Sequence, residues 1–356
     1  MSVVAAEFRP EQLTLAREKR GLTKAQLAEV CGVSRRAVSD WEAGRVATPP
    51  LGVLAAALNF DEEFFTLEIE DRVQPEHASF RALSSLSARD LKATLATATV
   101  VGVFSKWIDE HFDTPEIDVP WLDQLVGPIQ SRALTPSESA EALRRLWSMG
   151  SAPVGDMMAL LETKGVRVFS LAGDIREVDA FSLWLSGRPA IFLNVNKSAE
   201  RLRFDLAHEL GHLVMHRDVV TAGDRASELS ANEFAGSFLV PRESLMSRVT
   251  GRLSLPDVLL LKKSYGVSAT AMVVRLHQLY LINDWQYRNW MVELSKRGYR
   301  KNEPDGISKE RSTLLTEILR MCRKDGLSLR QIAGSLKVPG ADLAEAVDGL
   351  TLIGVP

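Results

Sequence analysis

Phe204-Asp205-Leu206-Ala207-His208-Glu209-Leu210-Gly211-His212-Leu213-Val214-Met215-His216 carries three of the six histidines of a 356-residue chain. Wound as a helix, it places His208, His212 and His216 within about 80° of one another. Leu206, Leu210 and Leu213 gather on another face. The stretch therefore predicts a helix with an apolar back for a core and an imidazole-rich front. Packing alone requires no such front.

The motif inside it is H-E-x-x-H. Two imidazoles one helical turn apart can meet a single zinc ion at about 2.1 Å. Glu209 is rotated off that line, where it can take a proton from water rather than bind metal. A catalytic zinc needs a third protein ligand and an open position. The next apolar-periodic segment, expected as a helix over 226–240, offers Glu228-Leu-Ser-Ala-Asn232. Its one-turn spacing puts Asn232 beside Glu228, available to hydrogen-bond a ligating histidine. Upstream lie three strand-like runs, at 166–171, 180–185 and 189–194. Ser186-Gly187 is a turn signal between the last two, and a helix at 154–164 precedes them.

The first seventy residues obey a different pattern. Gln12 to Arg20 reads as a helix ended by Gly21. Thr23 caps a second helix that runs to Cys31, Gly32-Val33 makes a turn, and Ser34 caps a third. The spacing T-x-x-x-L-A-x-x-x-G-V-S-x-x-x-V-S-x-W-E-x-G is that of a helix-turn-helix. Ala28 permits close helix crossing, and Leu27 with Val38 fills a small core. Basic side chains barely outnumber acidic ones over residues 1–50. One such domain would bind DNA weakly, so a working reader requires a homodimer.

These motifs carry two resemblances. The N-terminal pattern resembles the XRE family of phage-repressor-like DNA-binding domains. That resemblance implies that the helix from Ser34 enters the major groove of operator DNA. Arg35 and Arg36 would reach base edges, and Ser39 and Asp40 would touch bases one turn on. Lys24 and Arg45 would hold phosphates. The stretches R-F-D-L-A-H-E-L-G-H-L-V-M-H, E-L-S-A-N-E-F-A-G-S-F-L-V-P, Gly266-Val-Ser268 and Arg275-Leu276 resemble the ImmA/IrrE zinc metallopeptidases, a family often fused behind an XRE domain. This resemblance implies a gluzincin-like domain with Zn²⁺ ligands His208, His212 and Glu228, and Glu209 as the general base of peptide hydrolysis. Asn232 and His216 are expected to support the ligands from behind. Glu233 is a second carboxylate near the site, and helix phase favours Glu228 over it. The 189–194 strand is expected at the cleft edge, where an extended substrate could pair with it.

The remaining chain yields less. Acidic residues crowd 61–71, including Glu70. Residues 80–107 read as a helix with small side chains, and prolines, among them Pro128, break the next stretch into turns. His77 and His111 show no partner pattern, and the tryptophans at 107, 121 and 147 are expected in the core. Residues 308–324 read as helical. Gly326-Leu-Ser-Leu-Arg-Gln-Ile-Ala333 then repeats the logic of residues 21–28. Its would-be reading segment, 340–345, is acidic, which favours packing or dimerisation over DNA.

The fold expected is mainly α with a small β-sheet. A five-helix XRE-type domain occupies 1–70 and a helical connector 71–150. An α+β metallopeptidase domain spans 151–282, and a helical region with a helix-turn-helix-like segment spans 283–356. A net charge of −3 confines any nucleic-acid contact to a local surface. Two distant cysteines, no basic leader and no apolar run of spanning length predict a cytoplasmic protein with no membrane contact. The function expected is a DNA-binding transcriptional regulator that cleaves a regulatory protein partner, a repressor in the sense that the family resemblance implies. The alternative is a DNA-binding regulator whose zinc domain senses or scaffolds without catalysis.

Overall fold

A computed structural model describes residues 7–69, 71–74, 86–125, 133–171, 178–216, 225–299 and 303–351. Glu70, His77, Pro128 and the start of the helix expected at 80–107 lie outside the described residues.

The N-terminal unit comprises α1 (Pro10–Lys19), α2 (Lys24–Val30), α3 (Arg35–Glu42), α4 (Leu51–Leu58) and a short 3₁₀ helix, Glu62–Thr66. Thr23 and Gln26 form a capping box at α2, and Ser34 caps α3 by accepting from Ala37 N. Gly32 turns the chain between them at φ 66°, in the left-handed region that costs a glycine nothing. Leu13, Leu27, Val38, Leu54 and Phe64 are fully buried and form the small core.

A long helix, α5 (Ala88–His111), comes next, with α6 (Leu122–Leu125), α7 (Pro136–Leu146) and α8 (Met157–Thr163). The expected helix at 154–164 is shortened because Asp156 caps it, accepting from Ala159 N. Then come β1 (Arg167–Ser170), β2 (Ala180–Leu185) and β3 (Arg188–Leu193), ordered β1-β3-β2. β3 runs parallel to β1 and antiparallel to β2. Ser186 and Gly187 both take positive φ, as a tight hairpin demands. Asp109 of α5 accepts from Arg167 of β1 at 2.6 Å and from Arg188 of β3 at 2.8 Å, which ties the sheet to that helix.

The sheet order corrects one expectation. The sequence suggests residues 189–194 at the cleft edge, yet β3 is the central strand. Its backbone is paired on both sides, so no extended peptide can add to it. The edge nearest the site belongs to β2.

Helices α9 (Ala199–Met215) and α10 (Arg225–Leu239) pack on one another, and α9 packs on β2 and β3. Beyond them lie α11 (Arg242–Arg248), α12 (Leu255–Tyr265), α13 (Ala269–Gln278), α14 (Asp284–Lys296), α15 (Thr313–Lys324), α16 (Leu329–Ser335) and α17 (Gly340–Val347). The helix expected from residue 308 starts at Thr313, because Glu162 of α8 receives the free N–H groups of Thr313 and Leu314, each at 3.0 Å. Trp107 and Trp147 are buried, and Trp121 stacks on Trp184 with centroids 5.0 Å apart. His111 bonds the carbonyl of Trp107.

The C-terminal repeat is real in geometry. Val338 N reaches Ala333 O at 3.1 Å, as Val33 N reaches Ala28 O at 2.9 Å. Lys337, at φ 58°, stands where Gly32 stands in the first copy. Its last helix, however, faces inward. Asp342, Leu343, Ala346 and Val347 of α17 are buried, and the helix packs on α5 and β1. Asp342 meets Arg20 at 2.8 Å and Lys19 at 3.5 Å at the end of α1. This helix cannot enter a DNA groove. Among the described residues, no helix is long and apolar enough to cross a membrane.

The Asp342 pair generates a prediction. Lys19 and Asp342 expose 7% and 4% of their side chains, so removing the acid strands a buried cation. Asp342→Ala should lower unfolding free energy by about 3 kcal/mol in urea titrations. Loss of less than about 0.5 kcal/mol would place the pair with solvent-screened surface bridges.

Candidate metal centre and nucleic-acid interface

Ser198 caps α9 by accepting from Arg201 N, and the helix then runs without a break through His208, Glu209 and His212. Its distance from α10 is set at Gly211. A Cβ there would lie 3.0 Å from Cδ1 of Phe234 and 3.4 Å from its Cβ, a contact with almost no slack. Phe234 is itself fully buried. This close approach brings Glu228, near the start of α10, over the histidine face of α9.

His208 Nε2 lies 3.1 Å from His212 Nε2. Glu228 Oε2 is 3.4 Å from the first and Oε1 is 3.4 Å from the second. Two ligands bound tetrahedrally at about 2.1 Å sit about 3.4 Å apart, so the three donors already form nearly one face of a zinc coordination tetrahedron. His208, His212 and Glu228 are also the one group of histidine, cysteine or acidic side chains among the described residues that converges in this way.

The outer nitrogens explain how the inner ones are aimed. His208 Nδ1 lies 3.2 Å from Asn232 Oδ1, an atom that only accepts, so Nδ1 carries the proton. His212 Nδ1 lies 3.0 Å from His216 Nδ1. Burial and the neighbouring His212 push His216 down to about 4, so it stays neutral and can accept there. Both inner Nε2 atoms are thereby aimed at Glu228. Burial alone would raise the Glu228 carboxyl, but hydrogen bonds from His208 and His212 outweigh it and hold the carboxyl well below the usual range. Burial likewise opposes the charged form of His208, yet Glu228, Glu209 and Asp205 more than offset it and push the imidazole up. That donor set, two imidazoles and a carboxylate with like neighbours, suits a divalent cation.

Glu209 is 2% exposed and accepts at Oε2 from Ser182 Oγ of β2, at 2.7 Å. Glu233 turns the other way and accepts from Ser137 Oγ of α7 at 2.9 Å. The site opens into a cleft of about 1110 Å³ between α9, α10, α13, Tyr299 and the 303–309 segment. Asp179 and Ala180, at the start of β2, form part of its wall. Sequence reasoning does not single out Ser182, although a serine within the apolar run A-F-S-L-W-L is a visible signal. Asp205, one turn before His208, belongs to no motif; burial pushes its carboxyl up to about 6.

At the other end of the chain, Arg35 and Arg36 project from the first turn of α3, and the Arg36 side chain is 91% exposed. Val38 and Trp41 turn inward and anchor that helix. Asp40, half-buried, accepts from Arg45 at 2.5 Å and stands 3.8 Å from Arg36, so its charge is directed to arginines rather than outward. Ser39 is half-buried beside it. Lys24 meets Glu42 at 2.9 Å with its side chain 39% exposed. The structure thus gathers Arg35, Arg36, Ser39, Asp40 and Arg45 on or just after one helix, with Lys24 paired to its end.

Two family comparisons bear on these sites. Residues 13–61 match the helix-turn-helix family, and residues 161–277 match the IrrE N-terminal-like domain of the Peptidase_M78 family. The chain joins an XRE-type helix-turn-helix domain to an IrrE/ImmA-like domain. No curated protein matches it. The first domain implies DNA binding and the second a peptidase-type unit with a metal site, as in a regulator that carries both.

Metal binding to the folded cradle should stabilise the protein by mass action. Zinc at a thousandfold excess over its dissociation constant should add about 4 kcal/mol, read as a rise in melting temperature of metal-free protein. Glu228→Ala should abolish the rise, and His216→Ala should weaken zinc affinity by about 10- to 100-fold. An unchanged rise in Glu228→Ala would remove that residue from the ligand set.

Proposed function

We propose that this protein is a cytoplasmic DNA-binding regulator, active as a homodimer, that carries a zinc-dependent endopeptidase and cleaves a regulatory protein such as a repressor. In this reading residues 1–70 bind operator DNA, 71–150 connect, 151–282 hold the peptidase site and 283–356 form a helical region that packs against the rest. His208, His212 and Glu228 hold the zinc, Asn232 and His216 fix the two imidazoles, and Glu209 is the general base.

The observation that carries the reading is the triangle of three donors at 3.1–3.4 Å with a buried, oriented carboxylate beside it on a cleft wall. Zinc held there would polarise the scissile carbonyl and acidify a water. Glu209 would take a proton from the attacking water as its oxygen bonds to the carbonyl carbon, and would return it to the leaving amine as the C–N bond breaks. Ser182 donates to Oε2 of Glu209 at 2.7 Å and so fixes the rotamer of the proposed base. β2, the outer strand on that side of the sheet among the described residues and with its first residue in the cleft wall, is the strand best placed to lie beside an extended substrate. For DNA, Arg35 and Arg36 read guanine edges in the major groove, with Ser39 and Asp40 beside them, while Lys24 and Arg45 reach phosphates.

Glu209→Gln should retain zinc and lose partner cleavage by at least about 10³-fold in single-turnover assays, a loss in the range removed with a general base. The proteins that accumulate intact in cells carrying this variant, and are shortened with wild type, are the substrates. If regulation survives Glu209→Gln unaltered, the zinc domain acts as a sensor or scaffold instead.

The DNA reading has a separate test. Arg35→Ala with Arg36→Ala should abolish a mobility shift on operator DNA, at about 1–3 kcal/mol per arginine, while zinc content stays the same. Uniform weakening on all sequences would make both arginines phosphate contacts.

A further inference from the structure

The acidic residues that line the cleft are almost all committed to partners. Glu200 accepts from Ile307 N at 3.0 Å and faces Lys262 at 3.7 Å. Glu303 accepts from Ala269 N at 3.0 Å and meets Lys262 at 3.2 Å. Glu233 is held by Ser137, Glu209 by Ser182, and Glu228 faces the two histidines. Asp179 takes both Lys197 and Arg201.

Asp205 differs. It lines the same cleft, and its Oδ2 is buried with no hydrogen-bond partner among the described residues. The cations nearest to it in charge effect are Lys197 and Arg201, and Asp179 engages both. A carboxylate oxygen removed from water with no direct hydrogen-bond partner is costly, and such groups in native structures call for an explanation. The chain has placed two cations within influence of Asp205 and then directed them to another acid. Lys197, Arg201 and His208 act on Asp205 through space, and a direct partner for its Oδ2 is left to come from the cleft.

The position says what brings it. Asp205 lies on the same face of α9 as His208, three residues away, or about 4.5 Å along the axis. An extended peptide advances about 3.3 Å per residue. A substrate side chain reaching Asp205 therefore belongs to a residue within two positions of the bond over the metal centre. We propose that Asp205 forms a subsite for a lysine or arginine side chain of the substrate, within two residues of the scissile bond. The proposal rests on the peptidase reading for its register, but its charge argument does not. It also names a substrate chemistry: a segment carrying a basic residue beside the cleavage point. Glu200 and Glu303, further along the cleft, contribute negative potential without being free to bind.

The test has two arms, both with the full-length protein. In the first, zinc-loaded wild type and Asp205→Asn digest a library of proteome-derived peptides that retain internal lysine and arginine, and mass spectrometry locates the cuts. Wild type should enrich a basic residue at one position within two of the cut by about tenfold, the discrimination of one partly desolvated ion pair. Asp205→Asn should reduce that enrichment to about twofold or less on the same scale. In the second, Glu209→Gln, alone and combined with Asp205→Asn, is bound to an array of random peptides with lysine or norleucine at a single position. Lysine peptides should bind more tightly, and Asp205→Asn should erase the difference. Asp205→Asn should also melt no lower than wild type, since it removes an uncompensated carboxylate. Cleavage without a basic preference overturns the subsite and leaves the peptidase reading standing. An Asp205-dependent preference on the array with no cleavage upholds the subsite and sinks the peptidase reading. A preference in either arm that Asp205→Asn leaves intact overturns the proposal, as does the absence of any preference in both.

Discussion

The separation of two helices at Gly211 and Phe234 is the constraint on which the metal centre depends. Phenylalanine packs where any Cβ on the facing residue would meet its ring at 3.0 Å. Interiors packed at crystal density pass such a contact on as a fixed spacing. Because α9 and α10 are held that close, a carboxylate on one can approach two imidazoles on the other at 3.4 Å each. The glycine of H-E-L-G-H is thus part of the site although it offers no donor. The same closeness brings Asn232, one turn along α10, to the back of His208, so one helix pair supplies the three converging donors and the residue behind one of them.

A second set of constraints joins the DNA-reading unit to the rest. Asp342 draws in Lys19 and Arg20, and Glu18 draws in Arg72 and Lys92. α5 packs on α1 at one side and, through Asp109, holds β1 and β3 at the other. The helix that carries Arg35 and Arg36 lies in a small domain whose first helix is locked to α5 and α17. Buried ion pairs of this kind contribute more to geometry than to net stability, since desolvation cancels much of their attraction. They fix orientation, which an apolar contact of equal area would leave free to slide.

Much of the site was legible because its chemistry is local. H-E-x-x-H states its geometry in five residues, and E-x-x-x-N states a one-turn relation. The helix-turn-helix announced itself through Gly32, Thr23 and Ser34, whose roles in turn and cap depend on neighbours within four positions. The C-terminal repeat was readable over Gly326 to Ala333, while the left-handed Lys337 at its turn was not. What failed was pairing order. Hydrophobic runs at 166–171, 180–185 and 189–194 look alike as strands, and nothing in them says which lies in the middle. The parallel pairing of β1 with β3 decided it and left β2 as the outer strand among the described residues. Ser182 stood out as a serine in an apolar run, but its role, like that of Asp205, lies in what stands opposite.

By itself, then, the sequence determined the element types, the turns and the identity of the donors, since each depends on spacing within one or two helical turns. Tertiary structure decided which donors meet, which acids are compensated and which face of the repeated unit is hidden. Those depend on contacts between residues tens to hundreds of positions apart. Asp342 illustrates the difference. In sequence it is an acid on a helix that would repel phosphate; in the fold it is a buried anion held by two cations at the end of α1. Composition carries the charge of a residue, but only the fold supplies its partner, and the partner decides whether that charge binds, repels or waits for a substrate.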